Sequence, residues 1–581
     1  MMHNREQKDK KRKILTWAES LLLSFLPLLF IYVKCGVYFE MNDDRMINEI
    51  LTGVLTGSPD GHAIFLNYLL GGFLAFLYSV ADNIPWFGLL LIGSHLAVYC
   101  CFFGILLERC RGIYQHVLGI VCGLFLIYSN LYIFGEIQYT STAALLAAGG
   151  YFSLIFDKSR YRRFALFGFF QILALLLRSQ AMLMVQIPGM CILLITGFTQ
   201  CLYKEKELRC LFRELLVTVG IIIAGLGISW VGNYIIGDYG LDAWQEYAYF
   251  RQIRGDMSDY YGFPAYESVS DILDKYQVSE TEYIAFTRYW MLGNVLDISC
   301  LEELHAVAEQ NYQASRSNFG ILVKELSRSR FQGGIMGYGK YTLMLYAFCM
   351  LLVFAQRRWS VLMQLVALNI GRNIALGYLL YRGRLPFRVL SGLYFVEMIF
   401  LLALLFELLQ TLYHQKRWIQ LGAAIVAIAV IVISVDTMKD TYNGLYWQHQ
   451  GRKAYSSGMY DIMEHCTNSD AGYLMVEMAT TYYTGNVLNM DWYRNRNYLS
   501  CGFWWSASPH ISEYQQKYIE EHQGNLRVVE MGPGMDPGQS FVVDLFTKEY
   551  GLELNLTEEM TLSNGIVLLV YNVQGDFQLK D

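Results

Sequence analysis

The hydrophobic part of the chain begins with ILTWAESLLLSFLPLLFIYVKCGVYF, residues 14–39, and EMNDDR, residues 40–45, follows it directly. The apolar run is long enough to cross a bilayer, which takes about 20 apolar residues in a helix. Basic sequence from Arg5 to Lys13 precedes it and no small-residue cleavage site follows it, so we predict an uncleaved first transmembrane helix. The adjacent carboxylates Asp43 and Asp44 would then lie at the membrane surface.

The rest of the chain repeats this pattern of apolar runs. Of 581 residues, 54% are hydrophobic and 17% are charged, and the mean hydropathy is +0.28. Apolar runs separated by short charged loops predict an α-helical polytopic membrane protein. The basic residues lie in these loops and not on one face, which argues against nucleic-acid binding. Eleven spans are predicted: 14–38, 86–107, 117–134, 142–156, 164–178, 181–200, 215–236, 341–355, 359–380, 389–406 and 418–435.

Orientation follows from the positions of Lys and Arg, which are enriched in cytoplasmic loops. With eleven spans every basic loop falls on one side, so we predict a multi-pass protein of the cell membrane with a cytoplasmic N-terminus and an extracytoplasmic C-terminal domain. The basic loops are Arg5–Lys13, Arg109–Arg111, Lys158–Arg163, Lys204–Arg213, Arg357–Arg358 and Lys416–Arg417.

The apolar segment Ala63–Val80 is predicted to lie in the outer interface without crossing. It is short, contains Asn67 and is bounded by polar sequence, and counting it as a span would place Arg109 and Arg111 outside. The alternative is that it crosses and that a weak segment such as 142–156 does not.

The predicted transmembrane domain covers residues 1–435 and carries two outer segments. The first loop, 39–85, begins with an amphipathic helix, Arg45–Leu55, for which Asn42 or Asp43 is the expected N-cap. The outer insertion, 237–340, is predicted to be helical, with a capping box at Ser279–Glu282.

Residues 436–581 are predicted to form a small extracytoplasmic α/β domain, because the apolar runs there shorten to strand length. A helix is predicted at Ser512–His522. The expected strands are Tyr473–Met478, Arg527–Glu530, Phe541–Leu545 and Ile566–Val573.

Asp43 and Asp44 are the candidate catalytic residues. A carboxylate at the edge of a membrane cavity can act as a general base on an acceptor hydroxyl or amine. The alternative is that either residue caps a helix or is a solvated charge.

A second set of polar residues is predicted to bind substrate. Ionisable residues inside or at the outer ends of spans are costly and therefore suggest function, and arginines there suit a phosphate-bearing ligand. For Arg372 a helix-packing ion pair is the alternative, and for His62 a structural role. No metal-ligand spacing surrounds His62. The set comprises Arg45, His62, Glu136, Gln138, Arg178, Arg372, Arg382 and Arg384.

The layout resembles the GT-C superfamily of membrane glycosyltransferases, which includes protein O-mannosyltransferases and aminoarabinose transferases. Asn42–Asp43–Asp44–Arg45 looks like the acidic motif of their first loop. The segment from Gly61–His62 to Trp86–Phe87 is similar to the one that forms juxtamembrane helices there. The whole chain also resembles membrane proteins of Gram-positive bacteria of this type.

The resemblance implies transfer of a sugar from a polyprenyl-phosphate or polyprenyl-diphosphate lipid donor to a cell-envelope acceptor (polymer, lipid or protein) on the outer face, usually with inversion. Asp43 would be the base and Asp44 would support it or position the acceptor. Arg178, Arg382 and Arg384 would be candidates to hold the donor phosphate. No cofactor is predicted, although a divalent metal remains possible.

Two other functions remain open from the sequence. One is a transporter or flippase of lipid-linked saccharide, for which internal repeats and broken helices near the bilayer midplane are expected. We find no repeat between the two halves of the chain. The other is a non-catalytic envelope assembly protein with the same fold.

Overall fold

The computed structural model describes residues 2–204, 206–288, 296–315, 338–381, 386–412, 415–475, 485–491, 493, 497–500, 504–531 and 540–579. The chain divides into two compact units. The first unit contains Met1–Glu40, Phe87–Trp230 and Phe319–His449. The second unit contains Met41–Trp86, Val231–Asn318 and Gln450–Asp581.

The first unit is built from apolar helices. In the described ranges, eight helices are long and apolar enough to cross a membrane: Lys10–Cys35, Trp86–Glu108, Tyr139–Phe156, Arg160–Leu202, Leu208–Ile236, Tyr338–Gln356, Phe387–Gln410 and Arg417–Lys453. The predicted class, an α-helical polytopic membrane protein with a small α/β domain, is confirmed. The number of eleven spans stays a prediction. Two of the predicted spans correspond to helices that are not among the eight: Ile113–Ser129, which has only 17 residues, and Trp359–Tyr381.

The helix bounds of the first unit are α1 Met2–Cys35, α4 Trp86–Glu108, α5 Ile113–Ser129, α6 Leu131–Gly135, α7 Tyr139–Phe156, α8 Arg160–Leu202, α9 Leu208–Val231, α14 Tyr338–Gln356, α15 Trp359–Tyr381 and α16 Phe387–Gln410. The helix α17, Arg417–Thr467, has 51 residues, so helix continues well past the predicted end of the last span at residue 435. Residues from Gln450 onward belong to the second unit.

The helix α8 is a hairpin, as predicted for the segments 164–178 and 181–200. Arg178 has non-helical backbone angles, with φ −160° and ψ 98°. Gln186 donates a hydrogen bond from Nε2 to Oε1 of Gln171 at 3.0 Å. In one straight helix residues 15 positions apart would be separated by about 22 Å. The two halves therefore fold back on each other at Arg178.

A short parallel strand pair follows α1. Strand β1, Tyr38–Phe39, pairs with β2, Glu136–Ile137. The amide of Glu40 then donates to the carbonyl of Ile137 at 3.0 Å. These bonds fix the chain directly before the acidic pair.

The second unit contains short helices and a five-stranded sheet. Within it, the Ser279 hydroxyl accepts from the amide of Glu282 and the Glu282 carboxylate accepts from the amide of Ser279, each at 3.0 Å, which confirms the predicted capping box. The helices are α2 Asn42–Thr52, α3 Tyr68–Val80, α10 Asp242–Asp256, α11 Tyr266–Lys275, α12 Glu280–Thr287, α13 Ile298–Ser315, α18 Pro509–Glu521 and α19 Phe541–Glu549.

The sheet of the second unit is mixed. Its strands are β3 Gly472–Met475, β4 Tyr498–Ser500, β5 Leu526–Met531, β6 Glu553–Thr561 and β7 Val567–Gln574. Its order is β4-β3-β5-β7-β6, with β3 parallel to β4 and β5, and β7 antiparallel to β5 and β6. Leu474, Val528 and Phe546 lie in the core that the sheet shares with its helices.

One predicted strand in this domain is wrong. Phe541–Leu545 begins the helix α19, because the Ser540 side chain caps it by accepting from the amide of Val543. Val542, Leu545 and Phe546 are buried on one side of this helix, which is the spacing of an amphipathic helix.

Candidate active site

The amphipathic helix α2 carries the acidic pair. Met46, Ile47, Ile50 and Leu51 are at most 1% exposed, so the predicted apolar stripe is confirmed, and Gly53 ends the helix with a φ of 83°.

The predicted N-cap of α2 is wrong. Met41 occupies the N-cap position and makes no side-chain capping bond. Asp43 and Asp44 lie in the first turn instead. The helix begins at Asn42, three residues before the predicted start at Arg45. Both carboxylates therefore lie where the helix dipole favours negative charge.

The polar side of α2 is buried as well as the apolar stripe. Asp44 is fully buried and Asp43 is half-buried. Arg45 forms an ion pair with Glu49, with Nε and a terminal guanidinium nitrogen 2.7 and 2.6 Å from Oε1. Burial works to lower the pKa of Arg45, but the charge of Glu49 helps to raise it overall. Asn48 accepts a hydrogen bond from Tyr78 Oη at 2.8 Å.

The burial of Asp43 and Asp44 limits the roles that these two carboxylates can have. Buried polar and charged groups are costly unless they are paired or hydrogen-bonded. Asp44 is neither a solvated charge nor a capping residue, and Asp43 does not cap the helix. Asp43 keeps part of its surface exposed, so it is the more accessible carboxylate of the pair.

A second polar cluster lies further along the same loop. Asp60 Oδ1 lies 2.7 Å from His62 Nδ1, and Asp60 Oδ2 lies 2.7 Å from His510 Nδ1. Burial works to raise the pKa of Asp60, but hydrogen bonds with His510 and His62 outweigh it, and the pKa is lowered. The hydrogen bond with Asp60 raises the pKa of His510, although burial opposes it.

The residues of this second cluster were not predicted as a group. The sequence makes His62 a substrate-binding candidate. The interpretation that no metal-ligand spacing surrounds it is wrong, because Asp60 and His510 each place a potential ligand atom within 4.8 Å of its own. The Asp60-x-His62 spacing was a signal in the sequence. His510 could not have been added, because it lies 450 positions from Asp60.

A close backbone contact holds the loop that carries Asp60 and His62 against α3. A Cβ atom at Gly71 would lie 2.1 Å from the carbonyl oxygen of Gly61, whereas a Cβ at Gly72 would meet as its nearest atom only the Tyr68 ring, at 3.6 Å. Position 71 therefore requires glycine, because there is no room for a Cβ atom there.

This contact makes a testable prediction. Gly71→Ala should lower the free energy of unfolding by about 1–3 kcal/mol through overpacking. The matched control Gly72→Ala should be neutral or stabilising by up to about 1 kcal/mol, because alanine favours the helix. Thermal unfolding of the purified protein measures both, and an equal loss in the two variants would contradict the close approach.

The candidates in the first unit make contacts of their own. Glu136 is 1% exposed, and its Oε1 lies 2.9 Å from His449 Nε2. Gln138 caps α7 by accepting from the amides of Thr140 and Ser141.

The arginines of the first unit differ in their surroundings. The Arg178 guanidinium lies over the Tyr139 ring, 5.5 Å from its centroid. Arg372 is 1% exposed, with Nε 3.6 Å from Glu397 Oε2. The ion pair expected as the alternative for Arg372 is therefore present. A substrate-binding role stays a prediction for Glu136, Gln138, Arg178 and Arg372. Arg382 and Arg384 lie outside the residues that the structure describes.

Comparisons with known proteins give little sequence similarity. No family model and no curated protein matches the chain. Among solved structures, the chain is similar to the crystal structure of ArnT from Cupriavidus metallidurans bound to undecaprenyl phosphate, with 11% sequence identity and a TM-score of 0.37. The match covers 96% of this chain and 97% of that chain.

Proposed function

We propose that this chain is an integral membrane glycosyltransferase that moves a sugar from a polyprenyl-phosphate-type lipid donor to a cell-envelope acceptor on the outer face. The observation that carries the proposal is the environment of the acidic pair. Asp43 is half-buried and Asp44 fully buried in the first turn of α2, a short distance in sequence after a candidate membrane span. A structural cap or a solvated loop charge does not account for that arrangement.

In this proposal Asp43 acts as the general base. Its carboxylate takes the proton of the acceptor hydroxyl or amine while the acceptor oxygen or nitrogen bonds to the anomeric carbon of the sugar. The bond from that carbon to the phosphate oxygen breaks, and its electron pair leaves with the polyprenyl phosphate. Attack opposite to the leaving group inverts the anomeric configuration.

Asp44 has a supporting role in this scheme. Because Asp44 is fully buried, an acceptor reaches Asp43 first, and Asp44 helps to hold the first turn of α2 in place. Arg178, Arg382 and Arg384 are the proposed partners of the donor phosphate, since guanidinium groups bind phosphate oxygens in pairs.

Complementation in a strain that depends on this gene tests the proposal. We expect wild type and Asp82→Asn to restore envelope glycosylation, and Asp43→Asn and Asp44→Asn to fail at wild-type protein levels. Asp82 is the matched control because it is an exposed aspartate of the same loop. If both acidic-pair variants restore glycosylation, the transferase assignment is wrong. A transporter would instead move lipid-linked sugar across vesicles whether or not the acidic pair is intact.

A further inference from the structure

The cluster of Asp60, His62 and His510 has the composition of a metal site. One potential ligand atom from each residue lies within 4.8 Å of the other two. One carboxylate and two imidazoles suit a divalent transition metal such as zinc, which binds nitrogen and oxygen ligands in proteins. The cluster shares no residue with the acidic pair, and the inference does not depend on the proposed reaction.

The local backbone holds the first two ligands in position. The amide of His62 donates to Asp60 Oδ1 at 3.0 Å, so the side chain and the backbone form a tight turn. Gly61 lies between them at the close contact with α3. The carboxylate and the first imidazole therefore belong to one fixed turn.

The His62 ring is oriented in the way that metal-ligating histidines usually are. Its Nε2 lies 2.9 Å from the carbonyl oxygen of Gly237. A carbonyl can only accept, so Nε2 carries the proton, and in the neutral ring Nδ1 then has a free electron pair. The Trp244 ring stacks on the imidazole, with centroids 4.8 Å apart and planes 11° apart, which fixes the plane of the ring.

The third potential ligand, His510, comes from the C-terminal domain. His510 lies in the first turn of α18, and its ring meets that of His62 edge to face, with centroids 4.4 Å apart. The side chain of His510 is 41% exposed, against 14% for Asp60 and 8% for His62. Solvent can therefore supply a fourth ligand on the His510 side.

The surrounding charge favours a cation. The carboxylates of Asp238 and Glu513 interact electrostatically with His510. Both ring nitrogens of His62 face oxygen atoms, since Nδ1 lies 2.7 Å from Asp60 Oδ1 and Nε2 lies 2.9 Å from the carbonyl oxygen of Gly237.

We propose that Asp60, His62 and His510 bind one divalent transition-metal ion such as Zn²⁺. The ion joins the loop before α3 to the C-terminal α/β domain, two segments of the second unit that are far apart in sequence. Because the unfolded chain does not bring these ligands together, binding stabilises the folded state.

Metal analysis of the full-length protein tests this site. The protein is purified in detergent with a tag free of histidine, stripped with a chelator and titrated with Zn²⁺ against a chromophoric competitor, and its bound zinc is counted by mass spectrometry. We expect one tightly bound Zn²⁺ per chain in wild type and a rise in Tm of several degrees. Asp60→Asn and His510→Gln should each weaken binding at least tenfold and lose the Tm shift.

Two further variants keep the test decisive. His465→Gln is the matched control, since His465 is a partly exposed histidine of the same unit whose Nε2 lies 3.6 Å from Glu558 Oε2. It should bind zinc as wild type does. His510→Cys supplies a different zinc ligand at the same position and should retain binding where His510→Gln loses it, which shows that loss in the glutamine variant is not misfolding. Equal zinc binding by wild type and His510→Gln would overturn the proposal.

Discussion

Glu49→Ala is expected to lower the free energy of unfolding by about 3–5 kcal/mol, because it leaves the Arg45 guanidinium buried without its paired carboxylate. Both side chains of this pair are 3% exposed, so water cannot replace the lost partner. Urea unfolding of the purified protein, followed by tryptophan fluorescence, measures the loss.

A double variant separates the cost of an unpaired charge from the loss of packing. Replacing a buried ion pair with apolar residues of similar volume is often neutral or stabilising. Arg45→Met combined with Glu49→Leu should therefore recover most of the stability that Glu49→Ala loses. A double variant no more stable than Glu49→Ala would contradict the assignment of the loss to the buried charge.

Asp43→Asn is expected to lower kcat about 100- to 10,000-fold, the range for loss of a general base. Because Asp43 is half-buried and does not cap α2, the substitution should leave the Tm nearly unchanged. The measurement is the rate of sugar transfer by purified protein at saturating lipid donor.

Asp44→Asn gives the contrasting result. Asp44 is fully buried, so we expect this variant to lower the Tm as well as the rate. If instead Asp44→Asn removes activity with an unchanged Tm while Asp43→Asn is active, the roles of the two carboxylates are reversed.

The local features of the fold could be predicted because local sequence determines them. The apolar stripe of α2, the capping box at Ser279 and the break at Arg178 each depend on residues within a few positions of one another. The same kind of local signal occurs at Ser540, where a capping serine precedes apolar residues at helical spacing, and it favours the observed helix over the predicted strand.

Features that depend on distant residues could not be predicted. Strand β6, Glu553–Thr561, is mostly exposed, so no buried pattern marks it in the sequence; it is defined by pairing with β7 at the edge of the sheet. The cluster of Asp60, His62 and His510 depends on a contact between Asp60 and His510, which lie 450 positions apart in the sequence.

The same limit applies to the candidate site. The acidic pair is recognisable in the sequence because two adjacent carboxylates follow the first apolar run. Their unequal burial was not visible in the sequence, since it depends on how the folded chain packs around α2.

Transfer of label from lipid to acceptor tests the central claim most directly. Proteoliposomes of wild type, Asp43→Asn and Asp82→Asn are supplied with a polyprenyl-phosphate lipid carrying a labelled sugar and with an envelope fraction as acceptor. We predict that wild type and Asp82→Asn move the label out of the organic phase and release polyprenyl phosphate, whereas Asp43→Asn leaves the label on the lipid. Transfer by Asp43→Asn at the wild-type rate, or label that stays on the lipid with wild type, would contradict the account.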